Sequence, residues 1–380
     1  MKLEKLVHEK LDALALLRPG TTYFSERMPD VCAVYACLAD EESRDVFLRV
    51  VKARSTGNPN YIPVSAYGEY QHPLVSAVTG DVVCDGGVYE GLSTFQHSLR
   101  VGPTGRVYAF DPESTNMAIA KSNLRACSNV IFEGLALFSE ETDLHIAYFR
   151  DSSHIRTHAH TASQPCLGVT LDGYLARKGE RCDLISLDVE GAEPEILKGA
   201  MQTIRRYKPK LQISIYHFHE HMLEIPLMLM RENLGYSFYM GHHSTGYFQE
   251  TILYAAPQSS EIAKGRGVSE QAANDAAERT AGQLAGQDVF FWGAGAAYER
   301  YKKFFHKSRP VAILLDRRFL EAAGRNEIDG IPLRTPESLN MAEKELPIIL
   351  FMRAEHLPAA FHTLNKHLPE QTRRIYACIL

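Results

Sequence analysis

The residues of this 380-residue chain best placed to do chemistry are carboxylates and histidines that stand where short apolar runs end. Asp85 closes VVCD, Asp111 closes RVYAFD, Asp188 closes DLISLD, and Tyr216 and His217 close KLQISIYH. Gly86, Gly87 and Gly91 follow Asp85 in a turn that opens a helical pattern with Leu92, Phe95 and Leu99 on one face. Glycines let a ligand approach the backbone closely, and a helix N-terminus offers unpaired N–H groups. A lone DxGxxxG also describes an ordinary strand-to-helix turn, so the turn gains meaning only with Asp111. An acid at the end of the second strand can accept both hydroxyls of a ribose, as does the acid about 20 residues after a dinucleotide fingerprint. NAD and S-adenosylmethionine (SAM) share that contact, and the turn separates them. It lacks GxGxxG spacing, and Asp85 would repel a pyrophosphate while attracting a sulfonium and an α-amino group. SAM is therefore the cofactor expected.

At the fourth strand end, Asp188 is followed by Glu190 and Glu193. Acids at a helix start are ordinary dipole partners, a reading that weighs evenly for Glu193, whereas Asp188 faces the same crevice as Asp85. His217 is the preferred candidate base, because an unperturbed imidazole titrates near neutrality. His219 and His221 fit a surface loop equally well. Asp188 with His217 and Glu190 is also a conceivable set for a divalent cation, but no HExxH or CxxC spacing supports it, so metal is not favoured. His154, His158 and His160 fall in a polar insert that suits an acceptor loop or a solvated loop.

These residues need elements to hold them. From Gly80 onward, short apolar runs alternate with helical patterns, which indicates a largely parallel sheet covered on both faces. YSFYM and ETILYA close that region through a connection short enough for an antiparallel pair. Residues 1–75 read as a helical extension ending in a Pro/Tyr/Gly-rich passage. Its Tyr61, Tyr67, Tyr70 and His72 suit either a lid over the cofactor or packing against the sheet edge. The expected division is the extension at 1–75, a catalytic domain at 76–257, a linker at 258–285 and a small Rossmann-like α/β domain at 286–380. The last unit carries WGAGAAYERY and an acid, Asp316, after its second strand. Tyr298 stands where the third glycine of GxGxxG would be, which discourages close packing around a pyrophosphate.

The balance of 41 Lys+Arg against 46 Asp+Glu gives a net charge of −5, which offers no field to attract nucleic acid or anionic lipid. Seven scattered cysteines without a CxxC pair suit a reducing cytosol, and no run approaches the ~20 apolar residues of a membrane span. A cytoplasmic chain is expected, with oligomeric state left open and a homo-oligomer among the options.

The blocks VCDGGVYEG, VYAFDP with Asn123, TLD at Thr170 to Asp172, and DLISLDVEGAEPEILKGA resemble, in order, the FkbM family of class I SAM-dependent methyltransferases. The resemblance covers about residues 80–256 and is most specific in the last block. Tyr89 in the glycine turn and ISIYHFHEHMLEIP are similar to one subgroup. Two positions depart from the family: Ser186 replaces its usual Lys, and Asp111 its usual Glu. The resemblance implies a seven-stranded sheet with an antiparallel last strand, and Asp85, Gly86, Gly87, Tyr89, Gly91, Asp111 and Pro112 around SAM. It also implies methyl transfer to a hydroxyl of a sugar, glycan or secondary-metabolite acceptor, for which the reading of the strand ends offers Asp188, His217 and Glu190 as the catalytic candidates. The rival readings are an NAD(P)-dependent oxidoreductase, or a nucleotide-sensing or scaffold protein, using the C-terminal unit.

Overall fold

The computed structural model describes residues 21–149, 152–156, 163–258, 270–341, 346–353, 356–367 and 375–379. The first sheet begins with β1 (Val82–Gly86), β2 (Arg106–Phe110) and β3 (Val130–Glu133), paired in parallel. The chain then detours through β4 (Ala136–Leu137), β5 (Thr142–Phe149), β6 (Ser152–Arg156) and β7 (Ser163–Val169), a four-stranded sheet in the order β4-β7-β5-β6. This sheet was not foreseen from the sequence, and of the insert's histidines His158 and His160 lie outside the described residues. β8 (Leu184–Leu187), β9 (Lys210–Ser214), β10 (Tyr236–His242) and β11 (Thr251–Pro257) complete the first sheet.

The first sheet has seven strands in the order β10-β11-β9-β8-β1-β2-β3, and β11 runs antiparallel to both its neighbours. β1, β8 and β9 are buried along their whole length, which is why they read as continuous apolar runs rather than alternating ones. The reversal of strand order falls between β1 and β8, so the carboxyl ends of these two strands flank the crevice where open α/β sheets bind ligands. The α/β class and the antiparallel last strand agree with the expectation from sequence.

N-terminal to this sheet, helices Met28–Cys37 and Glu41–Thr56 supply part of its core, including Val31, Val34, Phe47, Val50 and Val51. The longer one has both expected ends: Asp40 accepts from the Ser43 N–H, and Gly57 turns left-handed at φ 71°. Ala39 N donates to Phe238 O at 2.8 Å and Met240 N to Ser43 Oγ at 3.0 Å, fixing these helices to β10.

A second sheet comprises β12 (Asp288–Trp292), β13 (Arg309–Leu314), β14 (Glu327–Ile328), β15 (Ile331–Arg334), β16 (Ile348–Met352) and β17 (Ile375–Ile379), in the order β14-β15-β13-β12-β16-β17. All its pairings are parallel except β14 with β15. The stretch expected as a linker is corrected in part: Glu270–Gln283 is a helix, with Ala277 and Ala281 buried in the core of the second sheet. Its inward face is mostly alanine, so it offers little apolar contrast in the sequence. The two sheets share a core through the helix Leu92–Val101, whose Phe95 ring lies 5.1 Å from that of Phe361.

Over β10 and β11, Tyr67 and His72 take the edge-packing arrangement, whereas Tyr70 turns its hydroxyl to Asp188. Tyr67, His72, Tyr239, His243 and Tyr254 pack ring against ring, and His242 Nδ1 lies 2.8 Å from Thr251 Oγ1. Burial pushes His72, His242 and His243 each down to about 4, so all three are neutral in the fold at pH 7. An unfolded histidine titrates near 6.5, so protonation favours the unfolded chain; the stability is complete above about pH 6.5 and drains away as the pH falls towards 4. We predict a thermal midpoint lower at pH 5 than at pH 7.5, with a shallower slope in His242→Gln. A midpoint equal at both pH values would contradict this.

Candidate functional site

The crevice is set by a backbone contact. Asp188 N donates to Gly86 O at 2.9 Å, and a Cβ on Gly87 would run into the Asp188 carbonyl oxygen. Gly87 also has φ 89°, a conformation that side chains other than glycine's disfavour. Gly91, at φ 95°, has Leu124 Cδ1 only 2.7 Å from where its Cβ would be. These two glycines are thus required by the chain's own packing. Between them, Tyr89 has φ 48° and an exposed ring (64%).

Asp85 is buried beneath this turn. Its Oδ2 accepts from Thr94 Oγ1 at 2.6 Å and Ser93 Oγ at 3.2 Å, and His97 Nε2 stands 3.9 Å from Oδ1. Asp111 ties the two strand-end turns together, accepting from Tyr89 N at 3.1 Å and Glu113 N at 2.9 Å. Burial raises its pKa, against the lowering effect of those backbone N–H groups. Pro112 follows it into the turn before the helix Ser114–Asn123. The sequence candidates Gly86, Gly87, Tyr89, Gly91, Asp111 and Pro112 therefore line one stretch of the sheet's carboxyl edge, with Asp85 underneath.

The second group gathers beyond β8 and β9. Asp188 accepts from Tyr70 Oη at 2.9 Å and from Tyr216 Oη at 3.0 Å, and His217 Nε2 is 3.4 Å from its Oδ1. Glu190, at φ 54°, brings Oε2 to 3.4 Å from the same nitrogen. On the other side of the ring, His217 Nδ1 lies 3.0 Å from Oε1 of Glu193. That buried carboxylate also accepts from Val189 N at 3.0 Å, which closes the turn after β8. Asp188, Glu190 and His217, the three catalytic candidates from sequence, are thus mutual neighbours.

Burial pushes Asp188 up to about 6, partly offset by the field of His217. For His217, burial acts downward, but the Glu193 hydrogen bond and the charges of Glu193, Asp188 and Glu190 carry it up to about 9. The near-neutral titration that singled out His217 as a base therefore does not apply to it in this setting. Asp188 is thus a carboxyl raised towards neutrality beside an imidazole raised above it.

Several members were not found from sequence. Glu69 and Glu250 bring carboxylate oxygens within 4.8 Å of Asp188 and of each other. Burial and then the bond to Glu250 raise Glu69 well above the usual carboxyl range. Glu250 had a readable signal: it directly precedes an antiparallel strand, so it emerges where the parallel strands end. Arg54 had none. From the end of the helix Glu41–Thr56 it donates to Tyr216 O at 2.6 Å and Phe248 O at 3.3 Å and stands 3.1 Å from His219 Nδ1. Burial pulls it down to about 10. A cavity of about 840 Å³ opens beside this group, lined by Arg54, Glu190, Tyr216, His217, Phe248 and Glu250 among others.

A seven-stranded sheet with one antiparallel strand, and a glycine turn and acids at its carboxyl edge, defines the fold of class I methyltransferases. Residues 84–238 match the model of the methyltransferase FkbM domain. The crystal structure of the methyltransferase FkbM from Methylobacillus flagellatus KT is similar over 62% of this chain and 60% of its own, at 20% identity and a TM-score of 0.51. The chain thus spans about three fifths of that protein's length. Aeropyrum pernix fibrillarin, solved with natively bound S-adenosyl-L-methionine, is matched over 49% of this chain and 69% of its own, at 14% identity and a TM-score of 0.33. No curated protein matches the chain.

The backbone contact makes a clear prediction. Gly87→Ala should destabilise the protein by more than about 2 kcal/mol, through both the positive φ and the collision with Asp188 O. Thermal unfolding measures it, and an unchanged midpoint would show that the β8 turn moves aside freely.

Proposed function

We propose that the protein is a SAM-dependent methyltransferase that methylates a hydroxyl of a sugar, glycan or secondary-metabolite acceptor. The observation that carries this reading is Asp188: a strand-end carboxylate oriented by the Tyr70 and Tyr216 hydroxyls, beside a cavity large enough for a sugar-sized molecule. SAM supplies an already activated methyl group, so the protein's part is alignment, water exclusion and removal of the acceptor proton.

The donor set around the glycine turn fits such a cofactor. Asp111 is a carboxylate at the second strand end; Oδ1 accepts from Glu113 N, and Oδ2 from Tyr89 N and, at 3.4 Å, Asn116 Nδ2, which leaves lone-pair capacity for a ribose hydroxyl chiefly on Oδ1. Asp85 adds negative charge under the turn, which suits a cation above it. Tyr89, Gly86, Gly87, Gly91 and Pro112 are the remaining contacts proposed for the cofactor.

On the acceptor side, Asp188 takes the hydroxyl proton as that oxygen attacks. His217, held between Glu193 and Asp188, orients the carboxylate, and Glu190 lies at the cavity wall. Phe248 and Tyr216 offer apolar ring surface beside polar groups, a combination that suits a carbohydrate. The helical extension 1–75 contributes Tyr70 and Arg54 to this group, which supports reading it as part of the catalytic unit rather than as a detachable lid.

The unit from 286 onward is proposed as a small Rossmann-like domain with a structural role. Gly293 has φ 102°, and a Cβ there would meet Phe351 O, so packing alone accounts for this glycine. Tyr298 turns its hydroxyl to Asp329 at 2.9 Å.

Calorimetry tests the cofactor. SAM and S-adenosylhomocysteine should bind the wild-type protein, and Asp111→Ala should weaken binding about tenfold or more; folded wild-type protein that binds neither would sink the proposal. Asp188→Asn should keep S-adenosylhomocysteine affinity within about threefold while methyl transfer to a sugar acceptor falls at least about a hundredfold. Equal rates for this variant and wild type would remove Asp188 from the role.

A further inference from the structure

We propose that Glu193, His217 and His221 form a binding site for one divalent first-row metal of the zinc or iron(II) class. His217 and His221 bracket the start of the helix His221–Arg231, and Glu193 begins the helix after β8. All three side chains are buried: Glu193 is 0% exposed and each histidine side chain 7%.

Three observations carry the proposal. First, the spacing suits coordination. Glu193 Oε1 is 3.0 Å from His217 Nδ1, Oε2 is 3.4 Å from His221 Nδ1, and one donor atom from each residue lies within 4.8 Å of the others. Ligands bound at about 2.0–2.2 Å in a tetrahedron stand roughly 3.3–3.6 Å apart, so the two Glu193 separations already lie at or slightly under that spacing and only the widest gap of the set has to contract.

Second, the polar atoms are not satisfied as they stand. Glu193 Oε2 and His221 Nδ1 are fully buried and have no hydrogen-bond partner of good geometry. Buried polar atoms in that condition are costly, and a cation among them satisfies both at once.

Third, the surroundings supply outer support. The far nitrogen of His217, Nε2, faces Asp188 Oδ1 and Glu190 Oε2, each at 3.4 Å. A metal-bound imidazole commonly donates its second N–H to a carboxylate in this way. The Val189 N–H at 3.0 Å holds the Glu193 carboxylate in place.

Two imidazoles and one carboxylate favour zinc or iron(II) over magnesium and calcium, which take all-oxygen sets. Three protein ligands leave a position open, and His217 also lines the cavity, which gives the ion a route in. The inference needs no methyl transfer to hold, so it stands or falls separately from the proposed activity.

The test is zinc titration of the full chain after dialysis against a chelator. One equivalent of Zn²⁺ should bind, with affinity reduced about a hundredfold or more in His221→Ala and in Glu193→Gln, while His306→Ala, at an exposed histidine, matches wild type. Where a variant fails to fold, X-ray absorption at the zinc edge of the wild-type protein decides. Two imidazoles with oxygen donors support the site; thiolate ligation by the free cysteines overturns it. Absence of zinc binding, or equal affinity in folded His221→Ala, also overturns it.

Discussion

Everything at the carboxyl edge of the first sheet depends on how closely the chain leaving β8 passes over the turn leaving β1. The Asp188 N–H bonds to Gly86 O, and the Asp188 carbonyl occupies the space a Cβ on Gly87 would need. That approach directs the Asp188 side chain towards Tyr70 and Tyr216 and starts the tight turn in which Glu190 and Gly191 both take positive φ. Glu193 then closes the turn by accepting from Val189 N. One steric condition thus fixes where four acidic or neighbouring groups stand, and a glycine two residues after Asp85 satisfies it.

Crowding of carboxylates follows from this geometry. Glu69, Asp188 and Glu250 share one small volume, with Glu190 facing the same His217 nitrogen as Asp188 and Glu193 on the far side of that ring. Mutual repulsion is relieved by raising Glu69 and by surrounding Asp188 with tyrosine hydroxyls and an imidazole. Arg54 does not join that ion pairing. Its guanidinium is committed to backbone carbonyls of the loops after β9 and before β11, so it acts on the site by holding those loops.

How much of this was legible in the sequence varies with the range of the forces involved. The parallel strands were readable because each is buried on both faces, and Asp85, Asp111, Asp188 and His217 were readable because they stand where those runs end. The pairing of β10 with β11 followed from a short connection. The four-stranded detour β4-β7-β5-β6 escaped notice, since short alternating strands such as TDLHIAYF resemble a polar loop. Tyr70 stands in the tyrosine-rich passage that suits either a lid or edge packing, but its bond to Asp188 arises only from tertiary packing, and Arg54 has no local pattern that marks it. The chemical state of His217 was also beyond sequence, because Glu193, Asp188 and Glu190 converge on it only in the fold.

The helix Leu92–Val101 belongs to two cores at once. Its N-terminus carries Ser93 and Thr94 to Asp85, while Phe95 and Leu99 pack with Phe361 and Leu364 beneath the second sheet. The second sheet is therefore no appendage that evolution or an engineer can exchange freely. A chain cut after β11 would turn an interior helix into an apolar surface stripe directly behind the glycine turn, and the first sheet would have to acquire a new neighbour to cover it.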